Sequence, residues 1–476
     1  MNRLITLLGT LALGLSLSSA GIAAGAATDV KVGVKVPAHQ RFTLPNGLTI
    51  ILVPQKDVPL IAFAGHVRGG ALADPAGKPG VASLVAGLLD RGAGKRSAYE
   101  FADAVEGVGG SFNANAVSEA INVNGQFLAR DRALMIELVA DALMRPAFDA
   151  AEFESFRDRQ IEFIKSAKDS DPSQIVAIYG RAALFGAHPY GRPQGGSERS
   201  LASITRADVA SFHAQNFGAD RAALVFAGDL DPRWMKQALT AAFGAWGKAK
   251  SALPVLERAP RVSGRRVLLV DSPGAVQTYF WIANVGVDRR YSGRPALDLV
   301  NTLYGGRFTS ILNTELRIKS GLSYGASSTF TRGTVPGAFA IRSFTQTDNT
   351  GKALDLTLET LENLKRGALE PAMLESARAY VLGQYPLQLE TAAHWAGTLS
   401  DLEFYGLGKD YIEGYGPAIA KVDLTETAAV TADAFPRPAD LVIVMIGDAT
   451  KIREAAGKYG TVTEMKISDT DFAPGK

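Results

Sequence analysis

At 476 residues the chain exceeds one ordinary core, so two domains of roughly 200 residues each are expected. Hydrophobic residues make up 47% and charged residues 21%, and 50 basic residues nearly balance 48 acidic ones. That balance is of a folded soluble protein, and with no long Lys/Arg run it speaks against nucleic acid or an anionic membrane surface as partner. The chain has no cysteine, which excludes disulfides, thiol catalysis and any thiolate-ligated metal.

The first 26 residues read as a secretory signal. Arg3 gives a positive start, Leu4 to Leu17 an apolar run, and Ala24-Gly25-Ala26 a small-x-small site, with cleavage placed after Ala26. The run is short for a spanning helix, so the mature chain is expected to be exported, not inserted in a membrane, and periplasmic.

From residue 40 the pattern is mixed. Gln40–Phe42 and Leu48–Pro54 form a hairpin about Pro45-Asn46-Gly47, and Leu60–Val67 is a strand. Helices are expected over Val81–Leu89 and Tyr99–Val108, then two strands within Ser111–Phe127. Helices follow at Ala133–Leu143, Ala150–Ala167, Ile175–Phe185 and Arg206–Asn216. A strand at Ala222–Leu230 and a helix at Pro232–Trp246 close the unit. Residues 248–262 form a linker with two prolines.

The same order then repeats. Arg266–Asp271 and Gln277–Val285 read as a strand pair; Arg294–Leu303 and Phe308–Lys319 as helices; Ser323–Phe330 and Gly337–Phe344 as strands. Leu354–Arg366, Pro371–Leu389 and Thr391–Tyr405 are helical, Leu441–Gly447 is a strand, and Lys451–Tyr459 a helix. The strand ending in Gly228-Asp229 matches that ending in Gly447-Asp448, an offset of 219 residues that marks a duplicated domain rather than a solenoid. Strands cluster rather than alternate strictly with helices, so α+β is favoured, with domains at 40–247 and 263–460.

One stretch carries chemistry. Leu312–Phe330 is a helix broken at Gly321 that runs into a strand, and its polar side chains include Arg317 and Tyr324. Arg supplies five permanently charged donors and Tyr a phenol, both suited to an oxyanion. Taken without further context, an Arg near a helix end more often satisfies carbonyls, and a Tyr opening a strand is more often core. His66, in an apolar strand, reads as a satisfied core histidine, and His188 as a loop residue stacked near Tyr190.

These features together resemble the M16 (insulinase-like, pitrilysin) zinc metallopeptidase family over about Gln40 to Tyr459. The matching marks are the Gly80-Val81-Ala82 helix entry, Gly109-Gly110 followed by Phe112-Asn113-Ala114, and His188-Pro189-Tyr190-Gly191. The two Gly-Asp strand ends, and Leu316-Arg317 with Gly321, Leu322 and Tyr324, complete them. The resemblance implies two homologous α/β-sandwich domains, each a sheet covered by helices, joined by the linker into a half-shell. Active members carry His-x-x-Glu-His on the helix after the glycine entry, two imidazoles ligating zinc and the Glu activating water. Here Ser83, Ala86 and Gly87 stand at those positions, and a later Glu, matched by Glu162, is more simply a solvated helix charge. None of the five histidines is paired at i,i+3 or i,i+4. This chain is therefore expected to bind no metal.

What the resemblance then implies is a non-catalytic subunit of a heterodimeric endopeptidase. The zinc would sit in a partner subunit bearing His-x-x-Glu-His, and Arg317 and Tyr324 would act in trans on the carbonyl and oxyanion of a peptide substrate. Asn113 and Ala114 would line an edge strand for the peptide, and Gly305-Gly306 would allow a tight turn beside its path. A peptide-binding or scaffold half-shell without a role in catalysis is the alternative, and a self-sufficient hydrolase the weakest option.

Overall fold

The computed structural model describes residues 33–367 and 369–474; the expected signal and its cleavage site lie outside them. The strands of the first half are β1 Gln40–Thr43, β2 Thr49–Pro54, β3 Leu60–Arg68, β4 Ser111–Ala116, β5 Ala120–Leu128 and β6 Ala222–Gly228. Its helices are α1 Val81–Leu88, α2 Ala98–Glu106, α3 Arg132–Met144, α4 Ala150–Ser170, α5 Val176–Phe185, α6 Glu198–Ser203, α7 Arg206–Asn216 and α8 Pro232–Phe243. In the second half the strands are β7 Arg266–Asp271, β8 Gln277–Val285, β9 Ala326–Arg332, β10 Pro336–Gln346, β11 Val442–Gly447 and β12 Thr461–Lys466. The helices there are α9 Arg294–Asn301, α10 Ile311–Asn313, α11 Thr350–Lys365, α12 Pro371–Gln384, α13 Ala392–Tyr405, α14 Asp410–Glu413, α15 Tyr415–Lys421, α16 Leu424–Ala434 and α17 Ala449–Gly457.

Two six-stranded mixed sheets result, in the orders β1-β2-β6-β3-β5-β4 and β12-β7-β11-β8-β10-β9. The duplication is plain in them: β6 and β11, the two strands that end in Gly-Asp, hold the same third place. Each is parallel to one neighbour and antiparallel to the other. Both are buried along their whole length, which is why they read as unbroken apolar runs. The expected pairing of β7 with β8 does not form, because β11 lies between them. Insertion of a late strand between two early ones depends on long-range packing that no local pattern reports.

Three further differences appear. The three short helices α14–α16 occupy 410–434, where no element was expected. The second sheet continues past residue 460 through β12, which takes the edge place of β1 but runs parallel to β7 where β1 is antiparallel to β2. After β12 the chain crosses to the first half. Phe472 buries against Tyr179, with ring centroids 5.0 Å apart, and Asp471 accepts from Ser197 at 2.6 Å.

The halves interlock rather than merely abut. α13 of the second half lies across β3 and β6, and α5 of the first half lies across β8 and β11. Each sheet thus buries one face under a helix contributed by the other half, and the apolar cores run across the join. Covering an apolar sheet face is worth roughly 1.5–3 kcal/mol for each large side chain fully buried.

A candidate substrate wall and its arginine stack

Arg317 sits on a π-helical turn, Thr314–Lys319, that continues α10. The Ser320 N–H donates to the Glu315 carbonyl at 3.2 Å, five residues back. The expected continuous helix from Phe308 to Lys319 therefore begins three residues later and widens at its end. π-turns cost backbone packing and recur at functional sites. Tyr324 does not open a strand as expected. β9 starts only at Ala326, and Tyr324 belongs to the connecting loop. The strand fails there because β10 side chains take the loop instead: Thr345 donates to the Leu322 carbonyl at 2.6 Å, and Ser343 to Ser323 Oγ at 2.9 Å.

That loop brings Tyr324 onto Arg317, whose guanidinium carbon is 4.3 Å from the phenol ring centre and 4.9 Å from that of Phe308. Phe308 is itself placed by Asn313, which donates to the Phe308 carbonyl at 2.6 Å and accepts from Ala326 N–H at 3.3 Å. Among the described residues no carboxylate or carbonyl engages Arg317. Guanidinium donors lie in the plane of the group, so aromatic rings on its faces hold it without consuming its N–H edges. Tyr324 and Phe308 are 74% and 61% exposed, unusual for aromatics with a purely packing role.

The stack borders a cavity of about 630 Å3 whose lining includes Gly305, Gly306, Arg307, Arg342 and Tyr380. Gly305 is required there: a Cβ would overlap Ser328 of β9, so the turn after α9 packs flush on the strand.

The first half presents a polar sheet face. On β4 and β5, Ser111 opposes Gln126, Asn113 opposes Asn124, and Asn115 opposes Asn122. These amides share a face with α13 residues His394, Gly397, Ser400 and Asp401, around a second cavity of about 400 Å3. Of the two expected contact residues, Asn113 is exposed on this face. Ala114 points the other way and packs on the apolar core. Only its backbone, on the free edge of β4, is available to an extended chain. The rest of the amide row carries a sequence signal, Asn at every second position in Asn113-Ala114-Asn115 and Asn122-Val123-Asn124.

The positions matching the zinc motif cannot hold the metal. Ser83, Ala86 and Gly87 offer one hydroxyl between them, Ala86 is buried, and the space beside Gly87 is filled by the Phe156 ring of α4. Glu162 is solvent-facing and pairs with Lys165 at 2.8 Å. Among the described residues no three His, Asp or Glu groups converge. The entry to α1 is nevertheless well built: buried Asp74 accepts from the Gly80 and Ala82 N–H groups at 2.8 and 2.7 Å. Burial pushes this carboxyl up to about 7 against the pull of those two donors.

His66 is a satisfied core histidine, with Nδ1 3.0 Å from Ser400 Oγ of α13 and its ring edge-on to Phe404. Burial first, and then the Arg68 charge, lower its pKa to about 3. His188 lies beside Tyr190 as expected but meets it edge-on rather than stacked, 5.1 Å between centroids and 74° between planes, and its Nε2 lies 2.8 Å from the Glu257 carbonyl in the linker.

Fold and site together define a duplicated two-sheet, peptidase-like chain, with no metal-binding set among the described residues. The chain belongs to peptidase family M16. The pattern described as Insulinase (Peptidase family M16) matches residues 57–197, and that described as Peptidase M16 inactive domain matches 203–381. An uncharacterized zinc protease of Mycobacterium tuberculosis is 30% identical over 396 residues, 83% of this chain and 90% of that one. The mitochondrial-processing peptidase subunit beta of Lentinula edodes is 26% identical over 205 residues, 43% of each chain. The crystal structure of a peptidase M16 inactive domain from Pseudomonas fluorescens superposes with a TM-score of 0.80 at 23% identity, covering 86% of this chain and 98% of that one. At that identity the likeness shows the fold.

Proposed function

We propose that this chain is the non-catalytic subunit of a two-chain M16 endopeptidase and assists peptide hydrolysis at a partner's metal site. The observation that carries the proposal is Arg317: a guanidinium over two exposed aromatic rings, its N–H groups without a partner among the described residues, in a chain whose own motif positions are Ser83, Ala86 and Gly87. Such a group is preorganised to donate to a carbonyl oxygen as negative charge develops on it, and the Tyr324 hydroxyl beside it is a second donor. Metal and general base belong to the partner, an M16 subunit with His-x-x-Glu-His. Export to the periplasm through residues 1–26 is part of the same proposal, and sequencing the N-terminus of the exported chain tests it.

A second reading, a peptide-holding chain with no catalytic part, is favoured by the amide row Asn113, Asn115, Asn122 and Asn124 beside the free edge of β4. Mixing the purified chain with a zinc-bearing M16 partner separates the two. Peptide cleavage by the mixture that depends on Arg317 supports the first, and peptide binding by the isolated chain with no effect on cleavage supports the second.

A further inference from the structure

Among the described residues, two arginines that line neighbouring cavities, Arg181 and Arg342, have no counter-charge. Gly180 of α5 rests on the indole of Trp281, and Arg342 of β10 is the register partner of Trp281 on β8. Arg181, the next residue of α5, is thereby brought near Arg342, whose charge, second to burial, lowers the Arg181 pKa, while burial alone lowers that of Arg342. Arg181 also lines a cavity of about 340 Å3 at the join of the halves, which it shares with Asn122 and Ser400. Arg342 lines the cavity of Arg317.

The donors here outnumber their acceptors. Arg181 Nε and Trp281 Nε1 are buried without any hydrogen-bond partner, and no carboxylate acts on either arginine. The acids on the same wall are committed elsewhere. Glu119 accepts from the Tyr190 hydroxyl and from Thr334 N–H, and Asp401 pairs with Arg289 at 3.1 Å. Buried donors without acceptors cost folding free energy, and two like charges held together cost more. An arrangement of this kind is relieved by a ligand that only accepts hydrogen bonds and carries negative charge.

We propose that Arg181 and Arg342 form a carboxylate-binding subsite on the substrate wall, so that the chain selects peptides bearing an acidic group. The carboxylate would be bound by charge-assisted, fork-shaped hydrogen bonds, for which Arg rather than Lys is suited. The subsite rests on the peptide-binding reading above and adds a substrate class to it.

The test is fluorescence anisotropy of the full chain with labelled extended peptides differing at one group. Glu is compared with Gln inside the sequence, and a free C-terminus with its amide. The carboxylate form is expected to bind about tenfold tighter than its amide counterpart, with the preference shrinking in high salt. Whichever pair shows the preference identifies the source of the carboxylate. Arg342→Met, at an exposed position, and Arg181→Gln should each reduce the preference to about twofold or less while leaving the affinity for the neutral peptide in place. Equal binding of acidic and neutral peptides to the wild-type chain overturns the subsite while leaving peptide binding intact. A preference that survives in Arg342→Met overturns the assignment to these arginines, and failure of every peptide to bind overturns the subsite and the peptide-binding reading together.

Discussion

Gly180 of the first half lies directly on the indole of Trp281 of the second, so close that a Cβ at position 180 would overlap the ring. Trp281 is 2% exposed and has nowhere to move. The contact seats α5 on the second sheet, as the bond between His66 and Ser400 seats α13 on the first.

From this contact, Gly180→Ala should destabilise the chain by roughly 1–3 kcal/mol, although Ala is the better helix former by about 1 kcal/mol. Urea unfolding checks it, and Gly180→Ala in a Trp281→Phe background should recover part of the loss. An exposed helical Gly→Ala change would have the opposite sign.

His66 sets a pH dependence. Its folded pKa near 3 lies below the usual value of 6.5, so the neutral form is favoured in the fold. The stability it contributes is present above pH 6.5 and is lost as pH falls toward 3, up to roughly 5 kcal/mol across that window. Asp74 works in the opposite sense: its raised pKa near 7 adds stability as pH falls from 7 through 3.8. His66→Gln should therefore flatten the acid-side decline in melting temperature between pH 6.5 and 4, and Asp74→Asn should not.

The zinc-motif positions are closed by packing as well as by residue type. The triple change Ser83→His, Ala86→Glu, Gly87→His places a ring where Phe156 already sits. Purified triple variant is expected to carry less than stoichiometric zinc by elemental analysis, and Phe156→Ala in that background to raise its uptake. Stoichiometric zinc in the triple variant with Phe156 in place would contradict this account of the closed site.

The sequence made much of this legible. Gly228-Asp229 and Gly447-Asp448 marked the duplication because two fully buried strands must both be apolar throughout, and the departure from His-x-x-Glu-His is written directly at Ser83, Ala86 and Gly87. Hidden were features that depend on distant parts of the chain. The placement of β11 between β7 and β8, the exchange of α5 and α13, and the seating of Tyr324 by Ser343 and Thr345 are all long-range. Arg342 carries no local signal, since Arg181 is supplied by the other half. Ala114 could have been separated from Asn113 by strand alternation alone, because adjacent residues face opposite sides.

The stack of Tyr324 on Arg317 gives the most direct test. In a reconstituted pair with a His-x-x-Glu-His subunit, Arg317→Ala should lower kcat for peptide cleavage by ~10²–10³, and Tyr324→Phe should also lower it. Zinc content and association of the two chains should stay unchanged. Arg317→Lys should recover only part of the loss, since Lys cannot reproduce the planar stack. Full turnover by both Arg317→Ala and Tyr324→Phe would contradict the account.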